Sequence, residues 1–294
     1  MKTKFKKIIA LVIIVIGIAL IIYPFMVKNV TSSRIKTSID NFIGITKELE
    51  FLDNSENKEI VDEFENVESN YNKREYTKIE KNSSSNKYSG KTTRVYSSEN
   101  AEDDIIVEEN AISEMKNNLL EDLYNEMKEY NKKLNEEGQN IVDAFSYETP
   151  SFDLTKYGLN ENIIGIIKIP NINLELPIYL GATAENLNKG ATHLSQTSIP
   201  LGEENSNVVI AAHRSLFKNE FFKNIDKLNI GDKVIIQTLW DELTYEVTTK
   251  NVISPSDSSK ILIQKDEDLV TLVTCHPYGK TSERYIVYCK RKWQ

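Results

Sequence analysis

The chain has 294 residues, 40% of them hydrophobic and 27% charged, with a formal net charge of −8. That length accommodates one sizeable domain with appendages or two small ones. The acidic balance excludes a basic nucleic-acid binder, and the apolar content excludes a chain that is disordered throughout.

Lys2, Lys4, Lys6 and Lys7 precede an uncharged run from Ile8 to Val27. As a helix rising about 1.5 Å per residue, this run spans roughly 30 Å, the hydrocarbon thickness of a bilayer. Tyr23-Pro24-Phe25-Met26-Val27 lacks the small residues of a signal-peptidase site, so residues 8–27 read as an uncleaved signal anchor. Residues 1–7 then form a basic cytoplasmic end, and the positive-inside rule places everything after Lys28 on the outer face of the membrane. No second run of spanning length follows, so a single pass is expected.

Residues 28–140 are polar, with two helical patterns separated by a loose stretch. Ile35, Ile39, Phe42, Ile43, Leu49 and Leu52 predict an amphipathic helix. Residues 82–104, with Ser83-Ser84-Ser85 and Ser97-Ser98, hold almost nothing apolar and read as a disordered linker. Ile112, Met115, Leu119, Leu123, Met127, Tyr130 and Leu134 recur at steps of three and four, predicting a helix over 108–137 that Gly138 closes.

Residues 141–160 lead into a region, 161–294, of short β-rich runs separated by turns. Strands are predicted over 163–169, 174–180, 207–213, 233–238, 243–249, 269–275 and 284–289. Seven or eight strands in this length predict a closed barrel or a sandwich. Thr183-Ala184-Glu185-Asn186 starts a short helix that ends near Gly190, and apolar residues from Leu216 to Leu228 predict another. The fold class is mainly β with helical decoration.

Reactive side chains are few: Cys275 and Cys289, with His193, His213 and His276. Paired C-x-x-C spacings are absent, and Asp266-Glu267-Asp268 reads as a solvated acidic turn rather than a calcium ligand set. No metal or cofactor is expected. Cys289 lies within an apolar run and reads as a small hydrophobe. Cys275 ends the run Val270–Cys275 and is followed by Pro277 and Gly279, which puts its thiol at a strand end beside a loop. Arg284 opens the next run, and Val208–His213 delivers an imidazole at the end of a third. His193 and His276 read as hydrogen-bonding or surface residues.

These residues carry a resemblance. Thr271-Leu272-Val273-Thr274-Cys275 resembles the TLxTC signature of sortases, and Arg284 falls where their arginine falls. Gly165–Pro170 and Leu176–Tyr179 resemble the family's first strands. Gly190-Ala191-Thr192-His193-Leu194 and His213-Arg214-Ser215 resemble its two histidine segments, so the likeness covers about residues 161–290. It implies an eight-stranded β-barrel that cleaves an LPxTG-like sorting signal between Thr and Gly and joins the Thr to an amine. Cys275 would be the nucleophile, His213 the proton-transfer partner and Arg284 the oxyanion clamp, with Thr274 and His276 as flanking substrate-binding residues. Those roles meet what an acyl transfer needs: a nucleophile, a proton donor for the leaving amine, and positive charge at the developing oxyanion. Cationic neighbours are expected to lower the thiol pKa.

Leu216-Phe217, Phe221-Phe222 and Pro277-Tyr278-Gly279 resemble class C, the pilin polymerases. Asp143-Ala144-Phe145-Ser146 resembles their lid, with Ala144 in place of the proline, so Asp143 and Phe145 would cover the site. The implied partners are sorting signals of pilins or surface proteins and an amine acceptor, either a pilin lysine or a peptidoglycan precursor. The implied location is the outer face of a Gram-positive cell membrane. Two other readings are a housekeeping sortase that anchors single surface proteins, and an inert tethered barrel whose Cys275 and Cys289 form a disulfide.

Overall fold

The computed structural model describes residues 2–56, 101–139, 141, 149–159, 161–215 and 221–293. The chain divides into two compact units, Met1–Thr46 with Leu119–Gln294, and Lys47–Asn118. In its described residues the second unit is helical throughout.

The first helix, α1 (Lys2–Glu56), joins in one rod the apolar run and the amphipathic stretch that the sequence predicts separately. Its apolar part is long enough to cross a membrane, and Leu11, Ile13, Ile14, Ile16, Ile18, Ile21 and Met26 are all exposed. Further along, Ser38, Ile39, Phe42 and Thr46 are buried. Ser38 donates its hydroxyl to Glu161 Oε2 at 2.9 Å and accepts from the Tyr179 hydroxyl at 3.3 Å.

The second helix, α2 (Ala101–Glu137), begins before the predicted start, so residues 101–104 of the expected linker are helical, while the rest of that stretch lies outside the described residues. Leu120, Leu123, Met127, Asn131 and Leu134 form its buried stripe, and Gly138 closes it with φ +86°.

Eight strands close a barrel in the order β1 (Ile163–Ile169), β2 (Leu174–Leu180), β3 (Ala191–His193), β4 (Ser206–Ala211), β7 (Asp268–His276), β8 (Glu283–Arg291), β6 (Glu242–Ile253) and β5 (Lys233–Gln237), with β5 returning to β1. The β2–β3 and β4–β7 pairs are parallel and the others antiparallel. Strand β3, only three residues long, escapes a pattern search. It lies against β2 because Gly190, just before it, has no side chain: a Cβ there would come within 2.7 Å of the Pro177 carbonyl oxygen. Thr183 caps the short helix α3 (Ala184–Leu187), as its sequence predicts. The helix predicted over 216–228 is not found in its described part. Residues 221–224 form a turn and Ile225–Lys227 a single 3-10 turn, because the Phe222 N–H turns back to bond the His213 carbonyl at 2.9 Å.

Both faces of the β4–β7–β8 sheet are buried. Val208, Ile210, Val270, Leu272, Val287 and Cys289 alternate with Val209, Ala211, Val273 and Ile286. The latter group packs with Ala182, Leu194 and Ile261, which belong to connections, so it marks the barrel's outer face. Beneath those connections Asn207 is fully buried. Its amide donates to the Ile261 and Leu262 carbonyls at 3.0 and 3.1 Å, and its Oδ1 accepts the Thr271 hydroxyl at 2.8 Å.

Replacing Asn207 by Leu strands two carbonyls and a hydroxyl in the core, an expected loss of about 2–4 kcal/mol. Urea unfolding of the full chain in detergent should show a lower midpoint at unchanged slope. A change under about 0.5 kcal/mol would contradict the assignment.

Candidate active site

The β7–β8 ladder sets Cys275 opposite Arg284, and the β6–β8 ladder sets Arg284 opposite Ile253. Side chains in one cross-strand row share a face. Ile253 belongs to the outer-face apolar cluster, so Cys275 and Arg284 stand at the edge of that same face. On the other side of β7, the parallel β4 ladder pairs Ala211 with Val273, and the Ala212 N–H continues it to the Val273 carbonyl at 3.3 Å. The β4 ladder ends at Ala211, and His213 follows two residues later in the segment that leaves this same end of β4. The three candidate residues therefore sit at one end of three adjacent strands.

Cys275 is a free, half-buried thiol. Burial pushes its pKa above the ordinary thiol value, and the Arg284 guanidinium pulls the other way. The expected depression by cationic neighbours is thus met by Arg284 alone and outweighed by desolvation. Burial also lowers the pKa of His213. Near neutral pH the favoured pair is therefore thiol and neutral imidazole. Arg284 is buried, and its Nη1 donates to the Thr281 and Glu283 carbonyls at 2.9 and 3.1 Å.

Thr274 is fully buried and donates its hydroxyl to the Ala212 carbonyl at 2.7 Å, tying β7 to the segment that carries His213. His276 is half-buried and accepts at Nδ1 from Arg214 Nη1 at 3.4 Å, since a guanidinium can only donate. His193 is fully buried, bonds the Ser198 carbonyl at 2.9 Å through Nε2, and has its pKa lowered to about 4 by burial. It belongs to the core.

Asp143 and Phe145 lie outside the described residues, but both flanks of their segment are placed. The Gln139 side chain donates to the Gln196 carbonyl at 2.9 Å and accepts from the Ile263 N–H at 2.7 Å, and Ile141 packs on the outer-face cluster. At the other end, the Thr149 carbonyl accepts the Ser195 hydroxyl.

Two expectations need correction. Asp268 is not part of a solvated turn: it opens β7 buried, accepts hydroxyls from Tyr245 and Ser206, and is pushed to about 6, first by burial. A Cys275–Cys289 disulfide is excluded by the ladder. Cys289 lies five positions beyond Arg284 on β8, roughly 16 Å along the strand, whereas a disulfide needs Cα atoms within about 7 Å. Both thiols are free.

The sequence reading missed the groups behind the row. Arg214 and Tyr285 contact His276, and Tyr278 lies against Arg214; their only signal in the sequence is that each sits near a residue already singled out.

A closed barrel thus sets a free cysteine against an arginine at a strand end. The Sortase domain family matches residues 167–292. The chain is 35% identical over 130 residues to Sortase D of Bacillus subtilis, covering 43% of this chain and 63% of that protein, which is under two thirds of its length. It is 30% identical over 149 residues to Sortase A of Bacillus anthracis, covering 50% of this chain and 69% of that one. Among solved structures it is similar to Streptococcus agalactiae sortase C1 in complex with MTSET, at 32% identity and a TM-score of 0.53 over 61% of this chain and 90% of that one. It is also similar to the Group B Streptococcus Pilus Island 1 sortase C2, at 29% identity and a TM-score of 0.54 over 60% and 98%. The chain belongs to the sortase family.

Because the Cys275 pKa is raised, its alkylation by iodoacetamide should climb through pH 8 and still be rising at about pH 9. Arg284→Ala should move the curve to higher pH. A plateau below pH 7 in the parent protein would refute the thiol assignment.

Proposed function

We propose that this protein is a membrane-anchored sortase in which Cys275 attacks the Thr–Gly carbonyl of an LPxTG-like signal and transfers the acyl group to an amine. The observation that carries the reading is the Cys275–Arg284 pair in one ladder row, at the end of the barrel where the segment carrying His213 leaves the neighbouring strand β4. Attack by the thiolate develops an oxyanion, which Arg284 stabilises. His213 in its protonated form then gives its proton to the leaving amine, and the thioester holds the acyl group until a second amine arrives. With the imidazole pKa lowered and the thiol pKa raised, the thiolate–imidazolium pair is a minor species. Its fraction is greatest between the two pKa values, so kcat/KM should fall on both sides of that interval.

The acceptor is read as a pilin lysine. Support comes from the likeness to the Pilus Island 1 sortase C2 and from the Asp143-Ala144-Phe145-Ser146 segment, whose flanks are pinned at Gln139, Ile141 and Thr149. The likeness to Sortase A of Bacillus anthracis favours a second reading, the anchoring of single proteins to peptidoglycan. The α1 helix would hold the barrel at the membrane, on its outer face by the lysine cluster that precedes the apolar run.

Full-length enzyme offered an LPxTG-type peptide should form a covalent adduct by mass spectrometry, and Cys275→Ala should form none. Arg284→Ala should lose on the order of 10²–10³ in kcat. Near-normal turnover in that variant would remove the clamp role. Given a pilin-domain lysine and a short wall-type amine together, the enzyme should prefer the lysine; use of the wall amine alone would select the second reading.

As a lid, Asp143 and Phe145 limit the open population. Asp143→Ala or Phe145→Ala should therefore accelerate Cys275 alkylation, and unchanged rates in both would exclude a lid.

A further inference from the structure

His213, Cys275 and Arg284 each have a chain neighbour, and those neighbours meet one another. His213 is followed by Arg214, Cys275 by His276 and Arg284 by Tyr285. Successive residues of a strand point to opposite faces, so while Cys275 and Arg284 stand on the outer face, His276 and Tyr285 fall behind it. Arg214 reaches both. Its Nη1 donates to His276 Nδ1 at 3.4 Å and its guanidinium carbon lies 5.8 Å from the Tyr285 ring centre, while the His276 and Tyr285 rings are 5.6 Å apart.

Arg214 is nearly fully buried, and its three nitrogens are directed to three different elements. Besides Nη1 on His276, Nη2 pairs with Asp226 Oδ2 at 2.5 Å and Nε donates to the Lys223 carbonyl at 3.2 Å. The guanidinium also lies 5.5 Å from the Tyr278 ring centre, and the Tyr278 hydroxyl bonds the Ser215 carbonyl at 3.1 Å. One planar fork thus joins the segment after β4, the turn near Asp226 and the loop after Cys275.

On the reading of Cys275, His213 and Arg284 given above, we propose that Arg214, His276 and Tyr285 form a positioning cluster that fixes the relative placement of the three reacting residues from behind. None of the three touches the reacting atoms. Arg214 is the centre because Lys could keep its charge but has a single nitrogen, which cannot serve Asp226, Lys223 and His276 in one plane. His276 contributes as an acceptor rather than as a base, because its Nδ1 faces the Arg214 guanidinium, which can only donate.

The test compares steady-state kinetics of full-length variants with an LPxTG-type peptide. Arg214→Lys and His276→Ala should each lower kcat on the order of tenfold, the scale of a small misplacement, with KM within about twofold. Cys275 alkylation and the melting temperature should stay near those of the parent. His276→Asn, whose Oδ1 stands near the position of Nδ1, should recover kcat to within about twofold of the parent. The double variant Arg214→Lys/His276→Ala should be no slower than the worse single, because both break the same contact. The proposal fails if Arg214→Lys turns over normally, if His276→Asn is as slow as His276→Ala, or if the two losses multiply. Should Arg214→Lys not fold, the His276 pair decides alone. All readouts are relative to an active parent, so a fault in the assignment of Cys275 itself would already be evident from Cys275→Ala.

Discussion

The chemistry of this barrel depends on two hydrogen-bonded registers that meet on one strand. Strand β7 is held parallel to β4 on one edge and antiparallel to β8 on the other. A slip of one residue on either edge would turn a reactive side chain to the opposite face. Thr271, bonded to Asn207, and Thr274, bonded to the Ala212 carbonyl, pin the β4–β7 register through buried bonds that a shifted ladder could not remake. The positions of the reacting groups are thus set by core hydrogen bonds, and the electrostatics follow from where the registers leave them: half-buried at a strand end, with a guanidinium opposite the thiol.

The connections that cover the outer face are tied to helix α2 by the same kind of bond. Asn131 exchanges two hydrogen bonds with the backbone of Ile199, at 3.0 and 2.7 Å, and the Tyr130 hydroxyl accepts from the Gln196 N–H at 2.9 Å. Gln139, just past the helix end, bridges Gln196 and Ile263. A helix that the sequence shows only as an amphipathic arm therefore determines where the walls above the apolar cluster stand. Its polar residues do this as much as its apolar stripe.

Much of this was legible from the sequence, and the exceptions have physical causes. Strands with strong apolar alternation, such as 163–169 and 174–180, coincide with the observed β1 and β2, and Cys275, His213 and Arg284 were visible as polar residues at the ends of such runs. Strand β3 was not visible because three residues give no period, and the 221–228 turn was misread because its helical spacing comes from folding back onto His213. In sequence alone Asp268 reads as a surface acid, because its partners, Tyr245 and Ser206, lie 23 and 62 residues away. Arg214 was overlooked as a functional group for the same reason: its partners are brought together only by barrel closure.

The unbroken course of α1 has a mechanical consequence. With its apolar stretch in a bilayer, the helix rises roughly 16 Å between Val27 and Ser38, at about 1.5 Å per residue, before Ser38 is locked to Glu161 and Tyr179. A rod clamped at that height gives the barrel a set standoff and heading, where a slack tether would let it tumble.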